Sequence, residues 1–470
     1  MTDLWSPIAR CLVAPAWARW ERSPYLKHYR QLQKTQFDSP EVIRARQWND
    51  VNALVAHAYR TVPFYRERLD AAGIAPGKLR SFEDFAQIPC LTKADLREHG
   101  PRMLSAMYAK APLIAKQTSG STGISVEVLV DEAAQQFKRA ATLRSDEWSG
   151  WRLGQRVAMV WGNPEYLKRG WRGRLRNTLL ERRRYLDTVK LNADDLAVFA
   201  RSLRKTPPSL IFGHAHSLYL LAEYLRENGG AGFRPRGIIS SAMVLHPFQR
   251  RVIEEVLGCP VTNRYGCEEV SLIASECEQH RGLHINSDGV YVEILRADGT
   301  PAEPGEAGAV VITDLRNRAM PILRYRVGDV AARAEGACPC GRGLPMLERL
   351  EGREADYVVT ARGELVSGIS LTENFAMLVP GIAQLQIVQE QLEHFVLRIV
   401  KGPEYGAASE AKIRELVAER FGTQTTFACD YVARIPQERT GKYRFCISKV
   451  ENPFTRQGTR SSCHLLQPSA

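Results

Sequence analysis

The spacing of hydrophobic and polar positions changes several times along the chain, and each change predicts a new element. From Val42 to Leu69, apolar residues recur at helical spacing, and Pro63-Phe64-Tyr65 leads into a second short helix. The first part of the chain, residues 1–105, is therefore predicted to be rich in α-helix. Further on, short apolar runs typical of buried strands alternate with amphipathic stretches typical of helices. The predicted strands are 157–160, 210–213, 237–240 and 261–265, and the helices include 131–148, 216–226 and 247–257. This alternation predicts a mostly parallel sheet.

The pattern after residue 289 is richer in strands, and a second body is predicted beyond residue 351. Runs typical of strands at 357–360, 383–388, 394–400 and 425–433 surround one amphipathic stretch, 409–421. We therefore predict an α/β protein with a large multi-sheet N-terminal domain, residues 1–351, and a small α+β C-terminal domain, residues 352–455. The polar tail, residues 456–470, is predicted to be disordered.

Small and polar residues follow the predicted parallel strands, at the point where each strand ends. Gly213 and His214 follow the second, Ser240 and Ser241 the third, and Tyr265 and Gly266 the fourth. Ligands of open parallel sheets bind outside the carboxyl ends of the strands. The sequence therefore predicts a binding site at this edge.

A loop rich in hydroxyl groups and glycine is predicted between two strands near residue 120: Thr118-Ser119-Gly120-Ser121-Thr122-Gly123. It suits a phosphate group, because glycines let the backbone approach an oxyanion and the hydroxyls add donors. It is not a Walker loop, since no lysine follows the last glycine. A solvated turn is the alternative interpretation.

The charge of the chain favours anionic partners. Lys and Arg number 64 against 52 Asp and Glu, so the formal net charge is +12. Nucleotides, acidic glycans and lipid headgroups all fit such a charge. No nucleic-acid-binding module is recognisable, and no apolar run reaches the roughly 18 residues of a membrane span. Ten cysteines without a recognisable signal peptide predict a cytoplasmic location. The sequence makes no prediction of oligomeric state.

Two segments leave alternatives open. The run 168–184 is strongly basic, which indicates either a solvated helix face or a docking surface for something acidic, such as a phosphate-bearing cosubstrate, a polyanionic glycan or a membrane surface. Residues 4–20 mix tryptophans and aliphatic residues with Arg10 and Arg19, which indicates either an interfacial helix or a segment packed on the protein's own core.

Cys277, His284, Cys338 and Cys340 have the ligand types of a tetrahedral Zn²⁺ site, namely three thiolates and one imidazole. With four protein ligands, the site would be structural and would join two loops. His280 competes with His284 as the nitrogen ligand. Four unligated residues in strand-rich loops are the alternative interpretation.

Five motifs occur in an order that resembles the adenylate-forming superfamily, specifically the phenylacetate-CoA ligase family and its relatives from capsular polysaccharide gene clusters. They are the loop 118–123, Arg264-Tyr265-Gly266-Cys267-Glu268-Glu269, Arg324-Tyr325-Arg326-Val327-Gly328-Asp329, Glu351-Gly352-Arg353, and Thr440-Gly441-Lys442-Tyr443-Arg444. The resemblance implies that the large domain is an adenylation domain and that the small domain is mobile. It also implies that an acyl-adenylate forms from ATP and a carboxylic acid with loss of pyrophosphate, and that a thiol or amine then takes the acyl group.

The resemblance assigns roles residue by residue. Lys442 would neutralise the carboxylate and the α-phosphate, and Glu269 would ligate Mg²⁺. The nucleotide would contact Thr118, Ser119, Gly120, Ser121, Thr122, Gly123, Ser241, Tyr265, Gly266, Asp329 and Arg353. The acyl group would contact Gly213, His214 and Ser240, although core histidines satisfied by backbone groups would fit the same pattern. The Gly282-Leu283-His284 stretch resembles the family's version of the zinc cluster and favours His284 over His280.

The chain departs from the family pattern at three places: Ala355 stands in an aspartate position of the hinge, Ser241-Ala242 replaces a Gly-Glu pair, and Glu268 replaces a Thr or Ser. Three functions follow as hypotheses. The first is an AMP-forming ligase that transfers the acyl group to CoA. The second transfers it to an amine in the tailoring of polysaccharides or natural products. The third is a degenerate nucleotide-binding scaffold without turnover.

Overall fold

The computed structural model describes residues 3–353, except for 76, 78, 118–125, 162–169 and 189–192. After residue 353 it describes 357–359, 365–367, 375, 378–422, 424–435 and 446–450. Contacts divide the chain into two units. The first unit contains Met1–Glu293, Val311–Tyr325 and Arg333–Arg349, and the second contains Ile294–Val310, Arg326–Ala332 and the chain from Leu350 onward. The domain boundary at residues 351 and 352 stays a prediction. The C-terminal tail 456–470 lies outside the described residues.

The helices follow the predicted order. They are α1 (Trp5–Ile8), α2 (Ala14–Trp20), α3 (Tyr25–Thr35), α4 (Pro40–Thr61), α5 (Pro63–Ala71), α6 (Phe82–Phe85), α7 (Lys93–His99), α8 (Glu132–Asp146), α9 (Gly170–Arg176), α10 (Ala193–Lys205), α11 (Ala215–Glu227), α12 (Pro247–Leu257) and α13 (Ala407–Phe421). Two π-helical segments, Ala9–Val13 and Asn177–Glu181, continue α1 and α9. Short 3₁₀ segments lie at Gly100–Met103, Ala106–Tyr108 and Glu147–Ser149.

Local side-chain chemistry sets the helix ends. The Ser39 hydroxyl accepts a hydrogen bond from the Val42 backbone N–H at the start of α4, and the Asp131 carboxylate does the same for Ala134 at the start of α8. The apolar pattern from Val42 to Leu69 is divided between two helices, because Val62 is extended and Pro63 begins α5. A proline disfavours the helical conformation of the residue before it, which explains the break.

The strands are β1 (Ile114–Gln117), β2 (Glu127–Val130), β3 (Val157–Val160), β4 (Arg183–Leu186), β5 (Leu210–His214), β6 (Gly237–Ser241), β7 (Val261–Cys267), β8 (Ser271–Glu276), β9 (Leu283–Ile285), β10 (Val290–Leu295), β11 (Ala307–Asp314), β12 (Tyr325–Arg333), β13 (Met346–Arg353), β14 (Tyr357–Val359), β15 (Leu365–Ser367), β16 (Ile382–Gln391), β17 (His394–Lys401), β18 (Thr426–Tyr431) and β19 (Cys446–Ser448). Strands β10 to β13 each continue from residues of one unit to residues of the other.

The main sheet of the first unit contains the order β4-β3-β5-β6-β7-β8-β9-β13. Its first five strands are parallel, because helices α10, α11 and α12 supply crossover connections. Strand β8 runs antiparallel to β7, since only residues 268–270 join the two. Apolar side chains of α10, α11 and α12 pack on the parallel strands and form the core that fixes them.

The described elements of the second unit include a four-stranded sheet in the order β18-β17-β16-β19 and the pair β14-β15. Helix α13 covers this sheet: Ile413, Leu416 and Val417 pack with Leu385, Ile387, Phe395, Leu397 and Ile399. This arrangement has the α+β composition predicted for the end of the chain.

Candidate functional site

The carboxyl ends of β5, β6 and β7 meet at one edge of the sheet, as predicted. Gly213 and His214 of β5 are in register with Ser240 and Ser241 of β6, and Ser241 is in register with Arg264 of β7. The structure thus brings three of the predicted binding pairs onto neighbouring strands. We refer to these strand ends and the connection after β7 as the carboxyl edge.

Ser240 lies at the centre of the carboxyl edge and is fully buried. Its hydroxyl oxygen has no hydrogen-bond partner among the described residues. A buried hydroxyl without a partner costs about 1–3 kcal/mol, so this position is prepared for a polar group from elsewhere.

The two histidines after β5 differ in their surroundings. The ring of His214 stacks on that of Trp161, with centroids 3.9 Å apart. Nδ1 of His216 lies 3.5 Å from the Gln249 side-chain amide, and burial, together with nearby His246, lowers the pKa of His216 to about 4. His216 is therefore a neutral imidazole near pH 7. Trp161 had no predicted role, since a stacking partner 53 positions away leaves no local signal in the sequence.

Glu269 occupies the short connection between β7 and β8, next to the carboxyl edge. The pairing of these strands shifts register at Tyr265 and Gly266, and such an irregularity re-aims the residues that follow. The Glu269 side chain is buried and accepts a hydrogen bond of 3.0 Å from the Tyr325 hydroxyl. Among the described residues, no lysine, arginine or histidine forms an ion pair with it.

A buried carboxylate with only a phenol as partner fits a cation. Burying an ionised carboxylate is costly unless an opposite charge lies beside it. Carboxylate oxygen is also the ligand that Mg²⁺ prefers. The surroundings of Glu269 are therefore compatible with the predicted metal role. The part of Tyr325 in holding Glu269 was missed, because the two motifs lie 56 residues apart.

Two arginines of the predicted motifs form ion pairs, and Tyr265 and Ala242 lie in or directly after strands of the carboxyl edge. Tyr265 is buried in β7. Arg264 forms an ion pair with Asp146, and buried Arg324 forms one with Glu293 at 3.0 Å. Ala242, one of the departures from the family pattern, has φ of 65° directly after β6. A left-handed alanine costs about 1–2 kcal/mol, so strain is concentrated beside the carboxyl edge.

Asp329 lies in β12 and is half-buried. Gly328 before it has φ of 83°, a conformation that favours glycine. Both residues therefore lie inside a strand with a local irregularity, rather than in a turn between two elements.

Several predicted residues lie outside the described part of the chain. They are Thr118, Ser119, Gly120, Ser121, Thr122, Gly123 and Lys442, together with Ala355 of the hinge. Strands β1 and β2, which flank the hydroxyl-rich loop, form an antiparallel pair that brings Gln117 opposite Glu127. Arg353 ends β13, and its side chain is not among the described ones. The roles predicted for all these residues stay predictions.

The Cys/His cluster assembles away from these strand ends. The ligand atoms of Cys277, His284, Cys338 and Cys340 all lie within 4.8 Å of one another. Strands β8, β9 and β13 are neighbours in the sheet, which brings the end of β8 beside His284 in β9 and beside the loop before β13. This is the arrangement of ligand types and distances that a tetrahedral metal site needs.

The surroundings of the cluster favour His284 as a ligand. Its Nδ1–H donates to the Leu344 carbonyl at 3.2 Å, so Nε2, which lies 3.3 Å from Cys340 Sγ, carries the lone pair. Burial lowers the pKa of His284 to about 4, which keeps the ring neutral. The competing His280 instead lies 3.1 Å from the Glu276 carboxylate and is not part of the cluster.

Backbone and side-chain groups support the sulfur atoms. The backbone N–H groups of Gln279 and Arg342 point to the sulfurs of Cys277 and Cys340. The Arg342 guanidinium donates to the Glu278 carboxylate at 2.9 Å and lies over the Trp148 ring. Such outer contacts orient the ligands of a metal. The role of Arg342 was not predicted, since nothing in its spacing marks it.

The comparisons with known proteins agree with the predicted resemblance. A family model of the CapK C-terminal domain matches residues 358–449. A phenylacetate-coenzyme A ligase of Thermus thermophilus is 28% identical over 390 residues, which are 81% of this chain and 83% of the relative. Protein CapK of Staphylococcus aureus is 25% identical over 448 residues, 91% of this chain and 94% of that protein.

A solved structure has the same fold. It is 2-hydroxyisobutyryl-CoA ligase in the postadenylation state in complex with R3-HIB-AMP, which matches with a TM-score of 0.71 at 23% identity and covers 92% of this chain and 94% of that one. The predicted α/β fold class, with a large multi-sheet part and a smaller C-terminal part, is confirmed. The chain is thus similar in sequence to phenylacetate-CoA ligases and to CapK, and it has the fold of 2-hydroxyisobutyryl-CoA ligase.

Proposed function

We propose that this homologue of the phenylacetate-CoA ligases activates a carboxylic acid with ATP, releases pyrophosphate, and transfers the acyl group of the resulting acyl-adenylate to the thiol of CoA. The observation that carries the proposal is Glu269, a buried carboxylate without a described cationic partner, in the connection that follows the parallel strand β7. A cation carried by the nucleotide phosphates would supply that charge.

Different residues of the chain would bind the metal ion, the phosphates, the ribose and the acyl group. Glu269, oriented by the Tyr325 hydroxyl, would hold Mg²⁺, which offsets negative charge on the phosphates as the bond to pyrophosphate breaks. The hydroxyl-rich loop 118–123 would hold the β- and γ-phosphates, and Asp329 would accept hydrogen bonds from the ribose hydroxyls. Ser240 and His214 would face the acyl group.

Lys442 would complete the first half-reaction. A carboxylate and an α-phosphate are both anionic, so their approach needs a cation between them. A flexible lysine ammonium supplies such a point charge. Withdrawal of the small domain after adenylation would then open the way for the acceptor.

The Cys/His cluster would hold one structural Zn²⁺. Its three sulfur atoms and one neutral imidazole supply four ligands, which leaves no position for a substrate. The metal would join the end of β8 and β9 to the loop before β13. It would therefore stabilise the fold without taking part in acyl transfer.

The reaction is tested by measuring ATP–pyrophosphate exchange with Mg²⁺ over a panel of aryl, fatty, hydroxy and amino acids. We expect exchange that depends on one class of carboxylic acid, and then a thioester when CoA is added. If no acid of the panel supports exchange although the protein binds Mg·ATP, only the scaffold hypothesis remains. If the protein does not bind Mg·ATP at all, the proposal and the scaffold hypothesis are both wrong.

An amine acceptor is the second candidate. It rests on the sequence resemblance to relatives from capsular polysaccharide gene clusters and on the basic run 168–184, which would suit an acidic glycan. Trapping the activated acid separately with CoA and with hydroxylamine distinguishes the two. Thioester formation supports the first candidate, whereas hydroxamate formation without any thioester supports the second.

A further inference from the structure

Apolar side chains are concentrated on one exposed surface of the first unit, formed by residues 3–22 and 170–182. We call it the N-terminal surface. Its most exposed apolar residues are Leu4 (78%), Leu12 (66%), Trp171 (65%), Trp20 (52%), Ile8 (43%) and Leu175 (39%). Leu4, Ile8 and Leu12 follow one another at intervals of four and therefore share a helix face. Exposed apolar residues concentrated in two neighbouring segments mark an interaction site more often than singly scattered ones do.

The segment that carries these residues is fixed on its inner side. The Trp5 indole N–H donates to the Leu179 carbonyl at 2.9 Å, and Asp3 pairs with Arg182 at 2.6 Å. Ala9 packs so closely on Gly154 that a side chain there would lie 2.8 Å from the Ala9 Cβ. One side of the segment therefore packs on the protein, which was one of the two predicted alternatives, and the other side faces outward.

On the N-terminal surface the acidic side chains are paired with arginines, whereas several arginines have no carboxylate partner among the described residues. Its acidic residues are neutralised, since Asp3 pairs with Arg182 and both Glu21 and Glu181 pair with Arg176. Five exposed arginines form no salt bridge with any carboxylate of the described chain: Arg10, Arg19, Arg22, Arg172 and Arg174. The outward charge of the surface is therefore positive.

Aromatic and cationic side chains meet at a groove in this surface. The groove has a volume of about 580 Å³, and its lining includes Trp17, Trp20, Arg172, Arg174 and Arg176 together with Glu21 and Glu181. The Arg172 guanidinium lies 5.4 Å from the Trp20 ring centroid and 5.5 Å from that of Trp171. Tryptophan beside arginine is typical of the boundary between lipid headgroups and acyl chains.

We infer that the N-terminal surface binds the interface of a lipid bilayer that contains anionic phospholipid. Leu4, Ile8 and Leu12 would enter the acyl region, the tryptophans would lie at headgroup level, and the arginines would contact headgroup phosphates. No described helix has the length and apolar character to cross a membrane, so attachment would be peripheral. An acidic polysaccharide would use the arginines, but it would leave the aliphatic row exposed to water.

The test uses the full-length protein and sedimentation with two kinds of vesicle, one of phosphatidylcholine alone and one containing a quarter phosphatidylglycerol. We expect binding to the anionic vesicles only, with loss at high salt, because the arginine contacts are screened. Leu12→Ser is expected to reduce binding about tenfold by removing one buried aliphatic side chain. Arg172→Glu is expected to reduce it by roughly fivefold or more.

Matched controls lie on other exposed surfaces. Met107→Ser removes an equally exposed apolar side chain, and Arg251→Glu reverses an exposed arginine of α12. Both are expected to bind the anionic vesicles as the wild type does. A common melting temperature for all four variants excludes unfolding as the cause.

Three outcomes would overturn the inference. The first is absence of binding to anionic vesicles, and the second is equal binding by Leu12→Ser, Arg172→Glu and the controls. The third is self-association of the wild type, or capture by an acidic polysaccharide, that the same two variants abolish while vesicle binding is unchanged. The last result would assign the surface to that other partner.

Discussion

The Cys/His cluster and the carboxyl edge both contain buried polar side chains of the first unit, but they differ in how these side chains are partnered. In the cluster, every ligand atom lies within 4.8 Å of the other three, and backbone N–H groups support two of the sulfurs. At the carboxyl edge, the Ser240 hydroxyl has no described partner and the Glu269 carboxylate has only a phenol. The first arrangement is complete in its ligand set, whereas the second is prepared for an outside ligand.

The difference teaches where stability and function reside in this unit. Buried polar groups that satisfy one another, or share a metal, hold strands and loops together. Buried polar groups without a protein partner lower the free energy of unfolding until a ligand binds them. Substitutions in the cluster should therefore affect folding first, and substitutions at the carboxyl edge should affect turnover first.

The largest effect is expected for Cys338→Ser. Loss of one thiolate should remove stoichiometric zinc and destabilise the protein by about 4 kcal/mol or more, since loss of a structural metal is among the most damaging changes. Elemental analysis and thermal unfolding measure the two effects. Cys259→Ser, at a buried cysteine outside the cluster, is the control and should retain the metal. Wild-type protein without zinc, prepared without chelators, would contradict the metal assignment.

Glu269→Gln should change turnover rather than folding. The amide keeps the shape but removes the charge, so we expect the rate of ATP–pyrophosphate exchange to fall about 10²–10³-fold. The melting temperature should stay the same or rise, because an uncompensated buried charge has been removed.

Tyr325→Phe is the matched partner variant. It keeps Glu269 charged but deletes the hydrogen bond that orients it, so the expected loss of rate is only about tenfold. An equal loss of rate in both variants would mean that Tyr325 itself has a direct role.

His216→Asn is expected to alter how stability depends on pH. Burial lowers the folded pKa of His216 to about 4 from 6.5, so the unfolded chain binds more protons between these values. Stability linked to this residue is therefore complete above pH 6.5 and is lost as the pH falls toward 4. The variant should flatten this dependence by up to one proton in urea unfolding. An unchanged slope in His216→Asn would refute the assignment.

The smallest effect is expected for Ala242→Gly. The alanine has φ of 65°, which glycine adopts without strain, so the variant should be more stable by about 0.4–1 kcal/mol. Urea unfolding measures the gain. If the strain is used to position the carboxyl edge, the Michaelis constant for the acid should rise in the same variant. A loss of stability would show that the backbone at this position is not strained.

Periodicity alone predicted strands β3, β5, β6 and β7 of the main sheet, but not β4, β8 or β9. The runs 210–213, 237–240 and 261–265 became β5, β6 and β7 with changes of one or two residues at their ends, because buried parallel strands are short and uniformly apolar. The second short helix beginning at Pro63 was predicted as well, because a proline inside a helical pattern ends one helix and is tolerated at the start of the next. The ligand types of the Cys/His cluster were likewise visible in the sequence.

The contacts that complete the carboxyl edge could not be predicted in this way. The Tyr325 hydroxyl reaches Glu269, and the Trp161 ring stacks on His214, only because strands distant in sequence become neighbours. The left-handed backbone of Ala242 has no sequence signal either, since alanine rarely adopts it. The features of the site that the sequence pattern did not predict are therefore tertiary contacts and local backbone strain.

Lys442→Ala tests the central claim most directly, because the proposal requires one cation from the small domain for adenylation but not for the later transfer. Two rates are measured in the same variant: carboxylate-dependent ATP–pyrophosphate exchange, and acyl transfer from a synthetic acyl-adenylate to the acceptor. The account predicts a loss of at least about 10³-fold in exchange and near wild-type transfer. An equal loss in both rates, or exchange at the wild-type rate, would contradict it.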